Sequence, residues 1–138
     1  MHTTKVVKPF KIDHVKNLRP HDQKLIQIAG FADDNSPSYS GFVNDEYAFS
    51  AGIVQAFGVG TVWVVTTPLV EKYPLWFSKA VRNMLNAGTD LYKLQRVQAT
   101  VLKENKQAVK WIEFLGFKRE GLMRKYVGGD HYLYSRVS

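Results

Sequence analysis

The last third of the chain, from Leu94 to Ser138, changes between the residue spacing of a strand and that of a helix. Apolar residues at 97, 99 and 101 alternate with residues that face the other way, which is the period-two pattern of a strand with two distinct faces. Apolar residues then recur at helical spacing, at positions 108, 111, 112 and 115. We expect Asn105 to cap this helix and Gly116 to end it, because glycine adopts a positive φ without steric cost. A second strand should follow.

The whole chain predicts an α+β fold with the element order β-α-α-β-β-β-α-β-α-β-β. We expect early strands over residues 6–10, 39–43, 47–57 and 61–67, of which the last is rich in β-branched residues and typical of a central strand. We expect helices over 14–18, 20–31 and 69–87, joined by turns at 44–46, 58–60, 86–88 and 128–130 and by a polar loop at 32–38. Pro74 should mark the start of the regular part of the helix over 69–87.

Length and composition favour one globular domain spanning residues 1–138. The longest apolar run falls short of the roughly 18 residues that a membrane span needs, and residues 1–5 lack the apolar segment of a secretion signal. The chain has no cysteine, which excludes thiolate metal ligands and a cysteine nucleophile. Its four histidines show no paired metal-ligand spacing, so we expect no metal site.

The chain is basic, with 19 lysine and arginine residues against 12 aspartate and glutamate residues and a formal charge of +7. Such a surface attracts nucleic acid, acidic proteins or a phosphorylated cofactor. A simpler interpretation is a solvated basic face that keeps the protein in solution. The sequence has no aromatic-basic repeat or recognition-helix pattern, so no motif supports a nucleic-acid partner.

The order of elements in this last third resembles the C-terminal half of GNAT-fold N-acetyltransferases: a strand, a helix capped by asparagine, a Gly-Phe pair and a second strand. The resemblance is carried by LQRVQA at 94–99, NKQA at 105–108 and LGFKREG at 115–121. It implies a mixed, mainly antiparallel central sheet of about six or seven strands, flanked by about four helices. It also implies acetyl-CoA as the cofactor.

GNAT enzymes hold the pantetheine of the cofactor against a splayed central strand and its diphosphate in a glycine-rich turn that follows that strand. In this sequence the resemblance implies a set of cofactor contacts at the end of the predicted central strand, in the segment after it and at the helix cap. These residues are Val64, Val65, Thr66, Thr67, Lys72 and Asn105. Helix capping alone also accounts for Asn105 without a ligand.

The segment that should hold the diphosphate departs from the family pattern. Residues 71–76 (EKYPLW) contain no glycine. Glu71 would bring negative charge toward an anion, Pro74 removes a backbone N–H donor, and Trp76 adds bulk where the backbone should approach phosphate. In addition, Ile112 occupies the position of the tyrosine that often serves as the general acid in the family. These departures predict altered or lost cofactor binding.

The catalytic residues stay unknown from sequence. Asp45 and Glu46 are candidate bases because they form the acidic pair nearest the predicted central strands, although solvated turn carboxylates are the simpler interpretation. Tyr126, Asp130 and His131, in or beside the last hairpin, are candidates for the wall of an acceptor site.

Residues 64–86 and 105–117 resemble a narrower group, the GNAT-like proteins of tailed bacteriophages, which includes the internal virion protein family of short-tailed phages. This resemblance implies a phage origin and a location in the host cytoplasm or the virion. Two functions remain open. One is an acetyl-CoA-dependent N-acetyltransferase acting on an amine, such as a protein N-terminus or a lysine. The other is a non-catalytic pseudoenzyme that binds a phage or host protein.

Overall fold

The computed structural model describes residues 3–23 and 38–137, which form one seven-stranded sheet in the order β1-β2-β3-β4-β5-β7-β6. All neighbouring strands are antiparallel except the central pair β4 and β5, which is parallel. The predicted mixed, mainly antiparallel sheet is therefore confirmed. The strands are β1 Thr4–Val7, β2 Ser38–Val43, β3 Glu46–Ala56, β4 Val59–Thr66, β5 Arg96–Leu102, β6 Lys118–Tyr126 and β7 Gly129–Val137.

Helix α1 spans Pro74–Tyr92 and helix α2 spans Lys106–Phe114. Residues 20–23 are also helical, and short 3-10 helices form at Ile12–His14 and Pro68–Lys72. No helix in the described part of the chain is long and apolar enough to cross a membrane. The remainder of the predicted helix over 20–31, and nearly all of the predicted loop over 32–38, lie outside the described residues.

Several predicted boundaries are wrong. The first strand lies at residues 4–7 and not at 6–10, and a 3-10 turn replaces the helix predicted over 14–18. Helix α1 does not end at residues 86–88. Gly88 is a buried helix residue at which a Cβ would lie 2.6 Å from the Cδ1 atom of Ile53, so it permits close packing of α1 on β3. The helix ends instead at Tyr92, and the residue that caps it, Lys93, adopts the left-handed conformation at φ 51°.

All three described hairpins turn through two consecutive residues with positive φ, at 44–45, 57–58 and 127–128. Two such residues match the right-handed twist of the flanking strands. The predicted turn at 44–46 is confirmed to within one residue. The other two turns begin one residue earlier than predicted, because residues 59, 60, 129 and 130 already belong to strands.

The main hydrophobic core lies between the sheet and the two helices. Its fully buried side chains include Phe49, Ile53, Val81, Leu85 and Tyr134. A smaller cluster lies on the opposite face, where Leu18 packs with Tyr47 and Val65. The helices α1 and α2 therefore cover one face of the sheet, and the segment that contains Leu18 covers part of the other.

Candidate functional site

The parallel strands β4 and β5 separate partway along their length. They pair at Val59–Arg96, Gly60–Val97 and Thr61–Gln98 and then diverge, while β5 continues to pair with β7 as far as Leu102. The divergence opens a cleft of about 500 Å³ between the ends of the two strands. Where β4 and β5 no longer pair, the backbone N–H and C=O groups that would form hydrogen bonds between them face the cleft instead.

The walls of the cleft come from both faces of the sheet. On the α1 and α2 side the wall is apolar, and Phe77 stacks on Trp111 with ring centroids 4.8 Å apart. The indole Nε1–H of Trp111 donates to the hydroxyl of Ser78 at 2.9 Å, which fixes α2 against α1. On the other side the wall is polar and includes Arg19, His21 and Asp22. A ligand in this cleft would meet an apolar channel at one end and charged groups at the other.

Two hydrogen bonds show which way the backbone of β4 points. The N–H of Thr66 donates to the Oδ2 atom of Asp22 at 2.9 Å, and the carbonyl of Thr66 accepts from the N–H of Arg19 at 3.2 Å. The N–H of Thr67 points to β3 and donates to the carbonyl of Ala48 at 2.9 Å. Since strand residues alternate in direction, the N–H and carbonyl of Val64 point to the same side as those of Thr66, toward the cleft.

The residues predicted to contact a cofactor are only partly brought together. Val64, Thr66 and Asn105 line the cleft. Val65 is fully buried in the smaller cluster on the opposite face, and the hydroxyl of Thr67 donates to the carbonyl of Ala48 at 2.8 Å. Lys72 is exposed and lies outside the cleft lining.

Asn105 is confirmed as a helix cap, since its Oδ1 atom accepts from the N–H of Ala108 at 3.1 Å. Ile112 is buried and forms part of the apolar wall, where it cannot transfer a proton. Gly116 ends the helix with φ 94°, as the sequence predicts.

The segment after β4 offers few backbone donors. The N–H of Phe77 donates to the carbonyl of Tyr73 at 3.1 Å, and Pro74 has no N–H. Helix geometry leaves the N–H groups of Leu75 and Trp76 in the first turn of α1 without an intrahelical acceptor. The Trp76 ring packs edge-on against Phe49, and neither Trp76 nor Tyr73 lines the cleft.

A cation offsets the negative charge of Glu71. The Nη2 atom of Arg19 lies 2.8 Å from the Oε1 atom of Glu71, and both residues line the cleft. The sequence does not reveal this pair, because the two residues are 52 positions apart and no local pattern connects them.

Asp22 is a second residue that sequence analysis missed. Its Oδ2 atom accepts from both the N–H of Thr66, at 2.9 Å, and the hydroxyl of Thr66, at 3.1 Å. Burial raises the pKa of the Asp22 carboxyl, while the two bonds from Thr66 oppose that rise. A half-buried carboxyl with a raised pKa at the polar end of a cleft is suited to accept a proton.

Two histidines meet beside Asp22. The Nε2 atom of His131 lies 3.2 Å from the Nε2 atom of His21, and His131 is only 1% exposed. The Nδ1 atom of His131 lies 3.0 Å from the carbonyl oxygen of Gly129, which can only accept, so Nδ1 carries a proton and donates it to this hydrogen bond. His131 therefore contacts the polar wall of the cleft through His21.

The other sequence candidates lie elsewhere. Asp45 is exposed in the β2–β3 turn, where it pairs with Lys5 at 3.2 Å, and neither Asp45 nor Glu46 lines the cleft. The Tyr126 ring packs edge-on against His131, with centroids 5.3 Å apart. The carboxylate of Asp130 accepts from the N–H of Lys125 within the last hairpin at 3.0 Å. In the described ranges, no group of three or more histidine, cysteine or acidic residues is placed to hold a metal ion.

No family model matches the sequence, and no curated protein matches it either. Solved structures do. A GNAT-family acetyltransferase from Bacillus anthracis is 23% identical with a TM-score of 0.62, and the match covers 72% of this chain and 65% of that chain. The ribosomal-protein-S5-alanine acetyltransferase from Vibrio fischeri is 22% identical with a TM-score of 0.63, covering 83% and 69%.

A spermidine N-acetyltransferase variant from Vibrio cholerae is 12% identical with a TM-score of 0.64, and the match covers 82% of this chain and 72% of that chain. At these identities the likeness concerns the fold. Together with the parted β4–β5 pair, it shows that this chain has the GNAT fold.

Proposed function

We propose that the protein is an acetyl-CoA-dependent N-acetyltransferase that modifies a primary amine. The observation that carries the proposal is the cleft between β4 and β5, which joins an apolar channel to a polar wall that contains Asp22. Transfer of an acyl group between two substrates requires that they meet from different directions at one point. A cleft with one apolar end and one charged end supports such an arrangement.

The residues of the apolar channel fit the pantetheine part of the cofactor. The backbone of Val64 supplies one N–H and one carbonyl at the open edge of β4, and Asn105 stands at the N-terminus of α2. Acetyl-CoA, when bound, supplies an acetyl thioester whose carbonyl carbon is open to attack by an amine. For the diphosphate the chain offers the first-turn amides of Leu75 and Trp76, with Lys72 nearby in sequence. This set is smaller than a glycine-rich turn, and we propose that it binds the diphosphate weakly.

We propose Asp22 as the general base. An amine arrives as an ammonium ion and must lose a proton before it attacks a thioester. Burial raises the pKa of Asp22, which brings its basicity closer to the working pH and improves proton transfer. Its two hydrogen bonds to Thr66 fix the carboxylate at the point where β4 leaves β5.

The net positive charge of the chain favours an amine on a protein, rather than a free polyamine, as the acceptor substrate. Two of the similar enzymes act, by their names, on spermidine and on an alanine of a ribosomal protein. The formal charge of +7 repels a polycation at long range. We therefore propose a protein N-terminus or lysine as the acceptor.

A second candidate is a non-catalytic GNAT-fold protein that binds a phage or host protein. Pro74 and Ile112 favour it, since the first removes a donor for the diphosphate and the second replaces a proton-transferring side chain. For the origin of the chain we propose a phage, on the resemblance of residues 64–86 and 105–117 to the GNAT-like proteins of tailed bacteriophages.

Acetyl transfer from acetyl-CoA to amine-bearing peptides tests the proposal. We expect the wild-type protein to acetylate these peptides. We expect Asp22→Asn to lower kcat by about 100-fold, because a general base typically contributes a factor of this size to the rate. The variant Asp90→Asn removes an exposed carboxylate on α1 and should match wild type. Cofactor binding without turnover would favour the non-catalytic candidate, and full activity of Asp22→Asn would remove Asp22 from its proposed role.

A further inference from the structure

Three exposed basic residues come together in the turn after β5 and at the end of β6. They are Lys103, Arg124 and Lys125, which we call the basic rim. The N–H of Lys103 donates to the carbonyl of Asp130 at 2.9 Å. The N–H of Lys125 donates to the Oδ1 atom of the same residue at 3.0 Å. Asp130 therefore fixes the turn after β5 against the β6–β7 hairpin.

The basic rim carries positive charge that its surroundings neutralise only in part. The ion pairs within residues 3–23 and 38–137 use other lysines and arginines, so the rim cations belong to none of them. The same turns hold two carboxylates, Glu104 and Asp130, and one further cation, Lys106. Like charges that share a small surface repel one another, and an anionic ligand relieves that repulsion. The rim is therefore suited to bind carboxylate or phosphate groups.

A short series of contacts links the basic rim to the polar wall of the cleft. Tyr126 follows the rim in β6, and its ring packs edge-on against His131 with centroids 5.3 Å apart. His131 in turn contacts His21 of the polar wall, with their Nε2 atoms 3.2 Å apart. On its other side the rim begins at Lys103, directly after Leu102, which lines the cleft. The rim therefore borders the cleft.

The direction of the β7 side chains shows which side of the sheet these contacts occupy. Tyr134 lies in the main core between the sheet and the two helices. Because strand residues alternate between faces, His131, three positions earlier, points to the opposite face. Its contacts with His21 and Tyr126 lie on that face, where the polar wall and Asp22 stand. The hairpin that carries Arg124 and Lys125 therefore meets the cleft on the side proposed for the acceptor amine.

We propose that the acceptor is an acidic protein segment, whose aspartate or glutamate side chains bind the basic rim while its amine enters the polar end of the cleft. This inference rests on the proposed function and specifies the acceptor of that same site. Opposite charges then bind the segment in one direction, with its ammonium group at Asp22 and its carboxylates at the rim. Since one exposed ion pair contributes little, the selectivity comes from several carboxylates that bind together.

Two matched peptides with a free N-terminal amine test the proposal. One carries three aspartates directly after its first residue, and the other carries three asparagines, which have nearly the same shape without the charge. At low ionic strength we expect kcat/KM to be about tenfold higher for the aspartate peptide, the size that several exposed ion pairs give together. This ratio should fall as salt is added, because salt screens exposed charges. An equal kcat/KM for the two peptides would overturn the proposal.

A double variant, Lys103→Gln with Lys125→Gln, removes two rim charges and should lose most of the preference for the aspartate peptide. Lys16→Gln with Lys79→Gln is the matched control, because both lysines are exposed and neither lines the cleft. The control should keep the wild-type preference. If the rim variant instead raises the KM for acetyl-CoA and keeps the peptide preference, the rim binds cofactor phosphates and the proposal is wrong. If it loses only the binding of a single-stranded oligonucleotide, the rim binds nucleic acid and the proposal is equally wrong.

Fluorescence anisotropy of the two labelled peptides, measured without acetyl-CoA, separates this inference from the proposed function. Tighter binding of the aspartate peptide by wild type, lost in the rim variant, would support the rim as a site for acidic segments even if the protein transfers no acetyl group. In that case the proposed function alone would fail. Acetyl transfer to both peptides, with equal binding of the two, would leave the proposed function intact and overturn the acidic acceptor.

Discussion

Asp22 and Thr66 are held together by two hydrogen bonds to one carboxylate oxygen, although 44 residues separate them in the sequence. The contact joins the helical residues 20–23 to the last residue of β4. It places a carboxylate at the point where β4 leaves β5. The polar end of the cleft therefore depends on a contact between distant segments.

The raised pKa of Asp22 predicts how stability varies with pH. A carboxyl whose pKa is higher in the folded state binds more protons folded than unfolded, so the free energy of unfolding falls as the pH rises from its ordinary value of 3.8 through the raised value. Asp22→Asn should therefore be more stable than wild type at pH 7, and the difference should vanish below about pH 4. Urea unfolding at both pH values measures this. A less stable variant at pH 7 would show that the ionised carboxylate stabilises the fold.

The lowered pKa of Glu120 predicts the opposite dependence of stability on pH. Hydrogen bonds from Arg96 and then from Ser135 lower the pKa of Glu120 to about 2. Its contribution is present above the ordinary pKa of 4.5 and is lost as the pH falls toward 2. Glu120→Gln should lower the urea midpoint at pH 7 and match wild type near pH 2. Glu104→Gln, at another exposed position, is the control, and an equal effect of the two substitutions at pH 7 would contradict the prediction.

Gly41 is required by close packing within the sheet. A Cβ at this position would lie 2.2 Å from a ring carbon of Phe49, which is fully buried. Gly41→Ala should reduce the free energy of unfolding by about 1–3 kcal/mol, the usual cost of overpacking. Gly121→Ala is the control, since a Cβ there has no neighbour within 4 Å. Chemical unfolding of both variants checks the difference, and a Gly41→Ala variant as stable as Gly121→Ala would contradict it.

The features predicted from sequence are those that depend on neighbouring residues. The cap at Asn105 and the positive φ of Gly116 are confirmed because each needs only residues within one helical turn. The period-two pattern around residue 99 likewise places β5 almost to the residue. The order of these local elements carries the resemblance to the GNAT fold.

The site could be predicted only in part, because its polar residues come from distant segments. Arg19 reaches Glu71 across 52 positions and His21 reaches His131 across 110. No periodicity links such residues in a single sequence. In sequence, Gly88 resembles a helix end because helices commonly end at a glycine, whereas in the structure its missing Cβ accommodates Ile53 within α1.

Because Pro74 has no backbone N–H, we expect the first turn of α1 to bind the cofactor diphosphate weakly. Pro74→Ala adds one N–H to the first turn of α1 and should tighten acetyl-CoA binding by about tenfold, because a hydrogen bond to a charged group contributes about 1.5 kcal/mol or more. An acetylated pantetheine without the diphosphate is the control ligand, and its affinity should not change. Equal effects on both ligands, or no effect on either, would show that the amides of this turn do not contact phosphate.

Calorimetric titration with acetyl-CoA tests the central claim that the cleft between β4 and β5 holds the acyl donor. Ala108→Trp fills the cleft from α2, whereas Ala87→Trp places the same bulk on the exposed side of α1. We predict micromolar binding to wild type and to Ala87→Trp, and a loss of at least tenfold in affinity for Ala108→Trp. No heat from wild type at millimolar acetyl-CoA, or equal binding by the two variants, would contradict the account.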